Sequence, residues 1–155
     1  MRIIFCAQTT WNTREHTVNK VKLITFCDPD RPHAAQAMQN FIELAKDKAQ
    51  ILTNCLQTTC DSKYLEQANY AVVFGGDGTI LSAARDLASA DIPVIGVNVG
   101  KLGFLAEFTP EELNTLFDRI IKEPKIEKRM IINCAITRKG KDVFSYKAIN
   151  RSEEH

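Results

Sequence analysis

A glycine-rich turn joins an apolar run to a helical pattern near the middle of the chain. Residues 70–74 form the apolar run, and Gly75-Gly76-Asp77-Gly78-Thr79 follows it directly. Beyond the turn, Ile80, Ala83, Ala84, Leu87 and Ala88 recur at the spacing of one helical face. The pattern predicts a strand, a tight turn and a helix that begins at the turn. This unit restricts the chain to folds in which helices connect the strands of a sheet.

Strands and helices alternate on both sides of this unit. Apolar runs predict strands at 21–27, 51–56, 70–74 and 94–97, and helical spacing predicts helices at 34–45, 62–68, 80–88 and 110–121. The last of these helices begins with a capping box, Thr109-Pro110-Glu111-Glu112. Alternation of this kind implies right-handed crossovers and a mainly parallel sheet. We therefore predict an α/β, Rossmann-like domain over residues 21–124, with ligands at the carboxyl ends of its strands.

The pattern changes after Pro124. Two runs typical of strands, 129–137 and 143–149, flank Lys139-Gly140 with no helical pattern between them, and they predict a β-hairpin. We interpret residues 125–150 as the first strands of an all-β domain that is incomplete in this sequence, with an open edge and exposed apolar surface. We expect an irregular extension over residues 1–20 and an unrelated tail over 151–155.

Composition excludes several classes of protein. Lys and Arg number 20 against 19 for Asp and Glu, so no overall field draws the chain to nucleic acid or to an anionic membrane. No apolar stretch approaches the ~20 residues that a membrane-spanning helix needs. The 5 cysteines contain no C-x-x-C pair, which argues against a structural zinc site and favours reduced thiols. We expect a cytoplasmic protein without nucleic-acid or membrane partners and without a metal site of its own.

Neither glycine segment matches the familiar phosphate loops. Gly100-Lys101 lacks the other residues of a P-loop, since Ile95 and Leu102 stand where a glycine and a hydroxyl residue belong. A dinucleotide fingerprint begun at Gly76 fails at Leu81. Glycines before a helix still favour phosphate, because they allow close approach to free N–H groups. Asp77 within such a loop is either a general base, a Mg²⁺ ligand or a simple helix cap.

The turn at 75–79 is followed by a second segment, 93–105, which reads Pro-Val-Ile-Gly-Val-Asn-Val-Gly-Lys-Leu-Gly-Phe-Leu. Together the two segments resemble the NAD kinase family, and the similarity runs from Val21 to Asn150, through Arg129-Met130. Several kinase families share the first motif, whereas the pair is specific.

The resemblance implies that the γ-phosphoryl group of ATP, bound with Mg²⁺ or another divalent cation, passes to the 2′-hydroxyl of the adenosine ribose of NAD, which yields NADP. By matched position Asp77 would be the catalytic residue. The resemblance also implies a set of residues that bind the nucleotides: Gly75, Gly76, Gly78, Thr79, Asn98, Gly100, Leu102, Gly103, Phe104 and Asn150. Members of the family are homo-oligomers, and their complete β-domain supplies much of the substrate site and the oligomer contacts, whereas we expect only its first strands in this sequence.

Other interpretations stay open from the sequence. Lipid kinases of the diacylglycerol or sphingosine type share the first motif, but they follow it with an acid where this chain has Ile80-Leu81. Phosphofructokinases have a similar turn and lack the second loop. Phe104 and Leu105 are also compatible with ordinary core packing. Because Arg151 stands where the family has an acid after Asn150, the other alternative is an inactive, truncated remnant that binds nucleotide weakly or only associates with partners.

Overall fold

The computed structural model describes residues 4–6, 20–55, 60–101 and 103–151. Its strands are β1 Ile4–Cys6, β2 Val21–Cys27, β3 Ala49–Cys55, β4 Tyr70–Gly75, β5 Val94–Asn98, β6 Ile126–Arg138 and β7 Lys141–Arg151. Its helices are α1 Pro32–Ala45, α2 Ser62–Leu65, α3 Asp77–Leu87 and α4 Pro110–Lys122, and a 3₁₀ turn at Ala88–Ala90 continues α3. The strands form one sheet in the order β3-β2-β4-β5-β1-β6-β7.

Four neighbouring strands form the parallel part of the sheet. β2 pairs in parallel with β3 and with β4, and β4 pairs in parallel with β5. This arrangement confirms the predicted α/β, Rossmann-like fold. The strands β4 and β5 each run one residue beyond their predicted ends, so Gly75 and Asn98 belong to strands and face each other in the ladder.

The core has one apolar layer on each face of this sheet. On one face Phe41 of α1 contacts Phe74 of β4 and Phe117 of α4, with ring centroids 5.8 and 5.0 Å apart. On the other face Val73 packs with Ile80 and the rest of α3. Successive residues of β4 therefore enter opposite layers, and all six are buried. Burial on both sides is the reason that β4 is an unbroken apolar run.

The ends of the helices follow from local chemistry. The predicted capping box of α4 is confirmed, because the Thr109 hydroxyl accepts from the Glu112 N–H and the Glu112 carboxylate accepts from the Thr109 N–H. In α2 the Asp61 carboxylate accepts from the Lys63 N–H at 3.2 Å. This helix is shorter than predicted, since it ends at Leu65.

The prediction of an irregular segment over residues 1–20 is wrong at Ile4–Cys6, which form β1. This strand pairs antiparallel with β5 at Phe5 and Val94, and it pairs in parallel with β6. A strand of 3 residues is too short to show a period in sequence. It joins the parallel part of the sheet to the hairpin.

The predicted hairpin is present and is longer than expected. Lys139 and Gly140 both have positive φ, 52° and 73°, as the two-residue turn of a tight hairpin requires. Arg151 pairs with Arg129, so this residue belongs to β7 and not to an unrelated tail. The hairpin leaves large apolar side chains 43–60% exposed, and these are Met130, Ile132, Ile136, Val143, Phe144 and Tyr146. The Arg85 guanidinium of α3 lies over the Tyr146 ring, 4.0 Å from its centroid.

Within the described ranges, none of the helices combines the length and the hydropathy needed to cross a membrane.

Candidate functional site

Three connections meet at one edge of the sheet because β2, β4 and β5 are parallel neighbours. Cys27 ends β2 opposite Phe74, and Gly75 ends β4 opposite Asn98. The turn 28–31, the loop 75–79 (loop 1) and the loop 98–105 (loop 2) therefore leave the sheet side by side. A backbone hydrogen bond of 3.2 Å from Val99 N–H to the Gly75 carbonyl joins the two loops.

The Asp77 side chain binds loop 2 to the start of α3. Its Oδ2 accepts from the Phe104 N–H at 2.8 Å, and its Oδ1 accepts from the Leu105 N–H at 3.0 Å. The N-cap residue of α3 is Gly76, which has no side chain that could accept from the free N–H groups of the helix. The Asp77 carboxylate accepts from loop 2 instead. The simple-cap alternative therefore does not describe this residue. Each carboxylate oxygen still has a lone pair for another donor, such as a substrate hydroxyl.

Two glycines are required by close contacts in these loops. A Cβ on Gly103 would lie 2.7 Å from Oδ2 of Asp77, so loop 2 can approach the carboxylate only without a side chain there. A Cβ on Gly75 would lie 2.7 Å from the Cβ of Thr79 in the first turn of α3. Gly78 is different, because nothing lies within 4 Å of the position of its Cβ.

Asn98 gives loop 2 its shape. Its side chain is buried, and Nδ2 donates to the Lys101 carbonyl at 3.0 Å. Its backbone N–H donates to the Phe108 carbonyl at 2.8 Å, where the chain returns beside β5. Its buried Oδ1 has no hydrogen-bond donor among the described residues. Through these two hydrogen bonds Asn98 fixes the conformation at the start of loop 2.

Phe104 projects into solvent. Its side chain is 92% exposed, so the core-packing alternative is wrong for this residue. The neighbouring Leu105 is partly buried against the layer that contains α3. An aromatic ring held in solvent next to Asp77 by its own backbone hydrogen bond is available to contact a ligand.

Two of the predicted site residues are not seen at loops 1 and 2. Leu102 is outside the described residues. Asn150 lies in β7, where its backbone pairs with Met130, and it therefore belongs to the hairpin rather than to either loop. The remaining predicted site residues lie in loops 1 and 2 or at the strand ends that lead into them: Gly75, Gly76, Asp77, Gly78, Thr79, Asn98, Gly100, Gly103 and Phe104.

Arg31 is a site residue that the sequence analysis missed. Its Nη1 lies 3.4 Å from the position of a Cβ on Gly100 and 4.0 Å from that of a Cβ on Gly76. Its Nε pairs with Oδ2 of Asp28 at 3.3 Å. The guanidinium therefore lies beside both loops. The available signal was a basic residue between the end of β2 and Pro32, but only the sheet order places that turn next to β4.

The described part of the chain contains no group of three or more His, Cys, Asp or Glu side chains that could hold a metal ion. Asp77 supplies a carboxylate at the loops, while Asp28 is engaged by Arg31. One carboxylate at these loops fits a Mg²⁺ ion that would arrive on the phosphates of a nucleotide, which is the usual way that this ion binds. Near the site, burial and then the Asp28 charge raise the pKa of the Cys27 thiol, so this cysteine stays protonated at neutral pH.

The family described as the ATP-NAD kinase N-terminal domain matches residues 27–126. A protein of Lachnoclostridium phytofermentans named NAD kinase is 40% identical over 122 residues, which cover 74% of this chain and 42% of that protein. A protein of Colwellia psychrerythraea with the same name is 45% identical over 91 residues, which cover 58% of this chain and 31% of that protein. The chain thus spans less than half the length of these relatives.

A solved structure supports the fold. The crystal structure of yeast NADH kinase complexed with NADH aligns with 85% of this chain and 44% of its own, with a TM-score of 0.65. The two sequences are 18% identical in this alignment, so the likeness concerns the fold alone.

Proposed function

The chain belongs to the NAD kinase family, and from that membership we propose that it transfers the γ-phosphoryl group of ATP to the 2′-hydroxyl of the adenosine ribose of NAD, forming NADP and ADP. The observation that carries the proposal is the Asp77 carboxylate, which lies at the junction of two glycine loops and an exposed aromatic ring. The family match also favours this reaction over the lipid-kinase and phosphofructokinase alternatives.

In the proposed reaction, Asp77 is the general base. The ribose oxygen attacks the γ-phosphorus, the bond from that phosphorus to the β,γ-bridging oxygen breaks, and the proton of the hydroxyl passes to the Asp77 carboxylate. A base of this kind must be held within hydrogen-bond reach of the hydroxyl. The two N–H bonds from Phe104 and Leu105 support that role, because they restrict how the carboxylate can rotate.

The loops would bind the phosphates and the dinucleotide. The first N–H groups of α3 have no partner within the helix, and the positive end of the helix dipole lies there, so loop 1 favours a phosphate. The open space at Gly78 supports a close approach by a ligand. Gly100, Gly103 and the Phe104 ring would line the NAD side, with Leu102 and Asn150 as further contacts implied by the family resemblance.

Mg²⁺ or another divalent cation would enter with ATP and neutralise charge on its phosphates during transfer. Asp77 is the described carboxylate at the loops that could contact it. We place the reaction in the cytoplasm, as part of NADP synthesis. Free thiols at Cys27, Cys55, Cys60 and Cys134 support a reducing compartment.

The test is NADP formation by the purified chain. The protein is incubated with ATP, Mg²⁺ and NAD, and NADP is measured with a dehydrogenase specific for it. Asp77→Asn removes the base and keeps the side-chain size, while Asp142→Asn makes the same change of charge at an exposed position of β7. We expect NADP from the wild type and from Asp142→Asn, and a loss of at least ~100-fold for Asp77→Asn.

Circular dichroism checks that Asp77→Asn is folded. If folded wild-type protein forms no more NADP than Asp77→Asn, the proposed reaction is wrong for this chain. Binding of ATP or NAD without turnover would then identify the inactive alternative.

A further inference from the structure

Arg31 occupies a position that is unfavourable for a cation in the protein alone. It is the N-cap residue of α1, where Ser, Thr, Asp or Asn are preferred because their side chains accept from free N–H groups. Arg31 makes no such bond, and the first turn of α1 contains no acidic residue. The positive ends of helix dipoles repel a guanidinium. The start of α1 therefore does not explain an arginine at this position, and its local stabilising contact is the ion pair with Asp28.

The two edges of the Arg31 guanidinium have different neighbours. The Nε edge pairs with Asp28, whose Oδ1 also accepts from the Asp30 N–H at 3.0 Å, so Asp28 holds the turn and the arginine together. The Nη1 atom is the one that lies beside Gly76 and Gly100. Since a guanidinium is a rigid planar fork, fixing one edge also aims the other. The Nη1 edge of Arg31 therefore points towards the gap between loops 1 and 2.

Groups around the gap favour a phosphate there. Glycine backbone lines it on both sides, and the N-terminus of α3 begins at Asp77. The Arg31 side chain keeps 53% of its surface exposed, so a ligand can reach it. Asp77 would repel a phosphate placed directly on it, but its oxygens are turned to the Phe104 and Leu105 N–H groups. A planar guanidinium can bind two neighbouring phosphate oxygens at once.

We propose that Arg31 binds a pyrophosphate group in the gap between loops 1 and 2 and so positions a substrate for the transfer. This inference rests on the proposed function for the identity of the substrate, because ATP and NAD both carry a pyrophosphate linkage. Arg31 is a positioning residue, since it does not contact the reacting hydroxyl. Its removal raises the dissociation constant or KM of one substrate by about tenfold, as expected for a partly exposed charge-assisted contact.

The experiment titrates the intact chain with ATP, with NAD and with tripolyphosphate in a calorimeter, and it measures NADP formation with each substrate varied. The variants are Arg31→Gln, Arg31→Lys and Arg31→Ser. The control is Arg119→Gln, which removes the same charge from an exposed position of α4. We expect Arg31→Gln to weaken one ligand about tenfold, Arg31→Lys to weaken it less, and Arg119→Gln to change nothing. A larger KM for ATP identifies the donor as the source of the pyrophosphate, and a larger KM for NAD identifies the acceptor.

Stability gives an independent readout. Arg31→Ser introduces a good N-cap, so we expect its melting temperature to rise by about 2–4 °C while ligand binding weakens. A purely structural arginine predicts the opposite change in melting temperature.

The outcomes separate this inference from the proposed function. If NADP forms and Arg31→Gln binds all three ligands as the wild type does, the Arg31 proposal is overturned and the proposed reaction stands. If no NADP forms but binding of tripolyphosphate depends on Arg31, the reaction is refuted and the pyrophosphate site stands. If the folded wild type binds none of the three ligands, the Arg31 site is refuted directly by the titrations.

Discussion

Gly103→Ala tests the clamp between Asp77 and loop 2. The added methyl would lie closest to Oδ1 of Asp77, 2.5 Å from its Cγ and 2.7 Å from its Oδ2, so all three contacts are at least about 0.7 Å shorter than ordinary van der Waals contact. Either the carboxylate or loop 2 must move, and the hydrogen bonds from Phe104 and Leu105 lengthen. Gly103 does not have a positive φ, so the new side chain causes no backbone strain of its own. Any loss of stability therefore reports on the contact with Asp77.

The expected size follows from the two bonds. A hydrogen bond to a charged group contributes roughly 1.5–3 kcal/mol when well buried, and the partial exposure of Asp77 reduces this figure. Losing one such bond, offset by about 0.4–1 kcal/mol from a less flexible unfolded chain, leaves a net destabilisation of about 1 kcal/mol. Gly78→Ala is the matched control, because its methyl meets nothing within 4 Å and the residue is helical. We expect it to stabilise the protein by about 0.5 kcal/mol.

Urea unfolding followed by circular dichroism measures both variants. A double-mutant cycle with Asp77→Ala gives the decisive comparison, since the methyl at position 103 then meets no carboxylate. We expect the penalty of Gly103→Ala to disappear in that background. Equal stability of Gly103→Ala and Gly78→Ala, or an unchanged penalty in the Asp77→Ala background, would refute the clamp.

Three other predictions concern the fold. Thr109→Ala removes the hydroxyl that accepts from the Glu112 N–H and keeps the backbone N–H that donates to the Glu112 carboxylate, so it should lower the free energy of unfolding by about 1 kcal/mol in urea titrations. Thr115→Ala, in the exposed middle of the same helix, should change it by less than about 0.5 kcal/mol, and equal losses would contradict this. Burial raises the pKa of Tyr70 to about 12 from 10.0, so the tyrosine ionises first in the unfolded chain and its contribution to stability is lost as pH rises from 10 to 12. Wild type should therefore lose roughly 2–3 kcal/mol more than Tyr70→Phe across that range, and parallel curves would refute the assignment. Amide hydrogen exchange should be faster in the exposed hairpin 129–149 than in the buried strand β4, and equally slow exchange in both would show that the hairpin opens only with the whole fold.

Much of the α/β half was predictable because its signals are local. The unbroken apolar run of β4, the helical spacing of α3 and the capping box of α4 each report what one short segment buries or bonds. The glycine turn at 75–79 likewise predicts a strand end and a helix start within a few residues. β1 is not predicted because 3 residues carry no period. Arg151 is assigned to a tail from the sequence because it stands where the family has an acid, whereas its pairing with Arg129 makes it part of β7.

The sequence by itself determined the kinds of elements, the two glycine loops and the acid placed in the first of them. Only the tertiary structure decided that the Asp77 carboxylate holds Phe104 and Leu105, and that Arg31 lies beside both loops. These contacts join residues that are far apart in the chain, and they depend on which strands are neighbours. Periodicity reports the burial of one segment, but the order β3-β2-β4-β5 is set by how crossover helices pack the strands together.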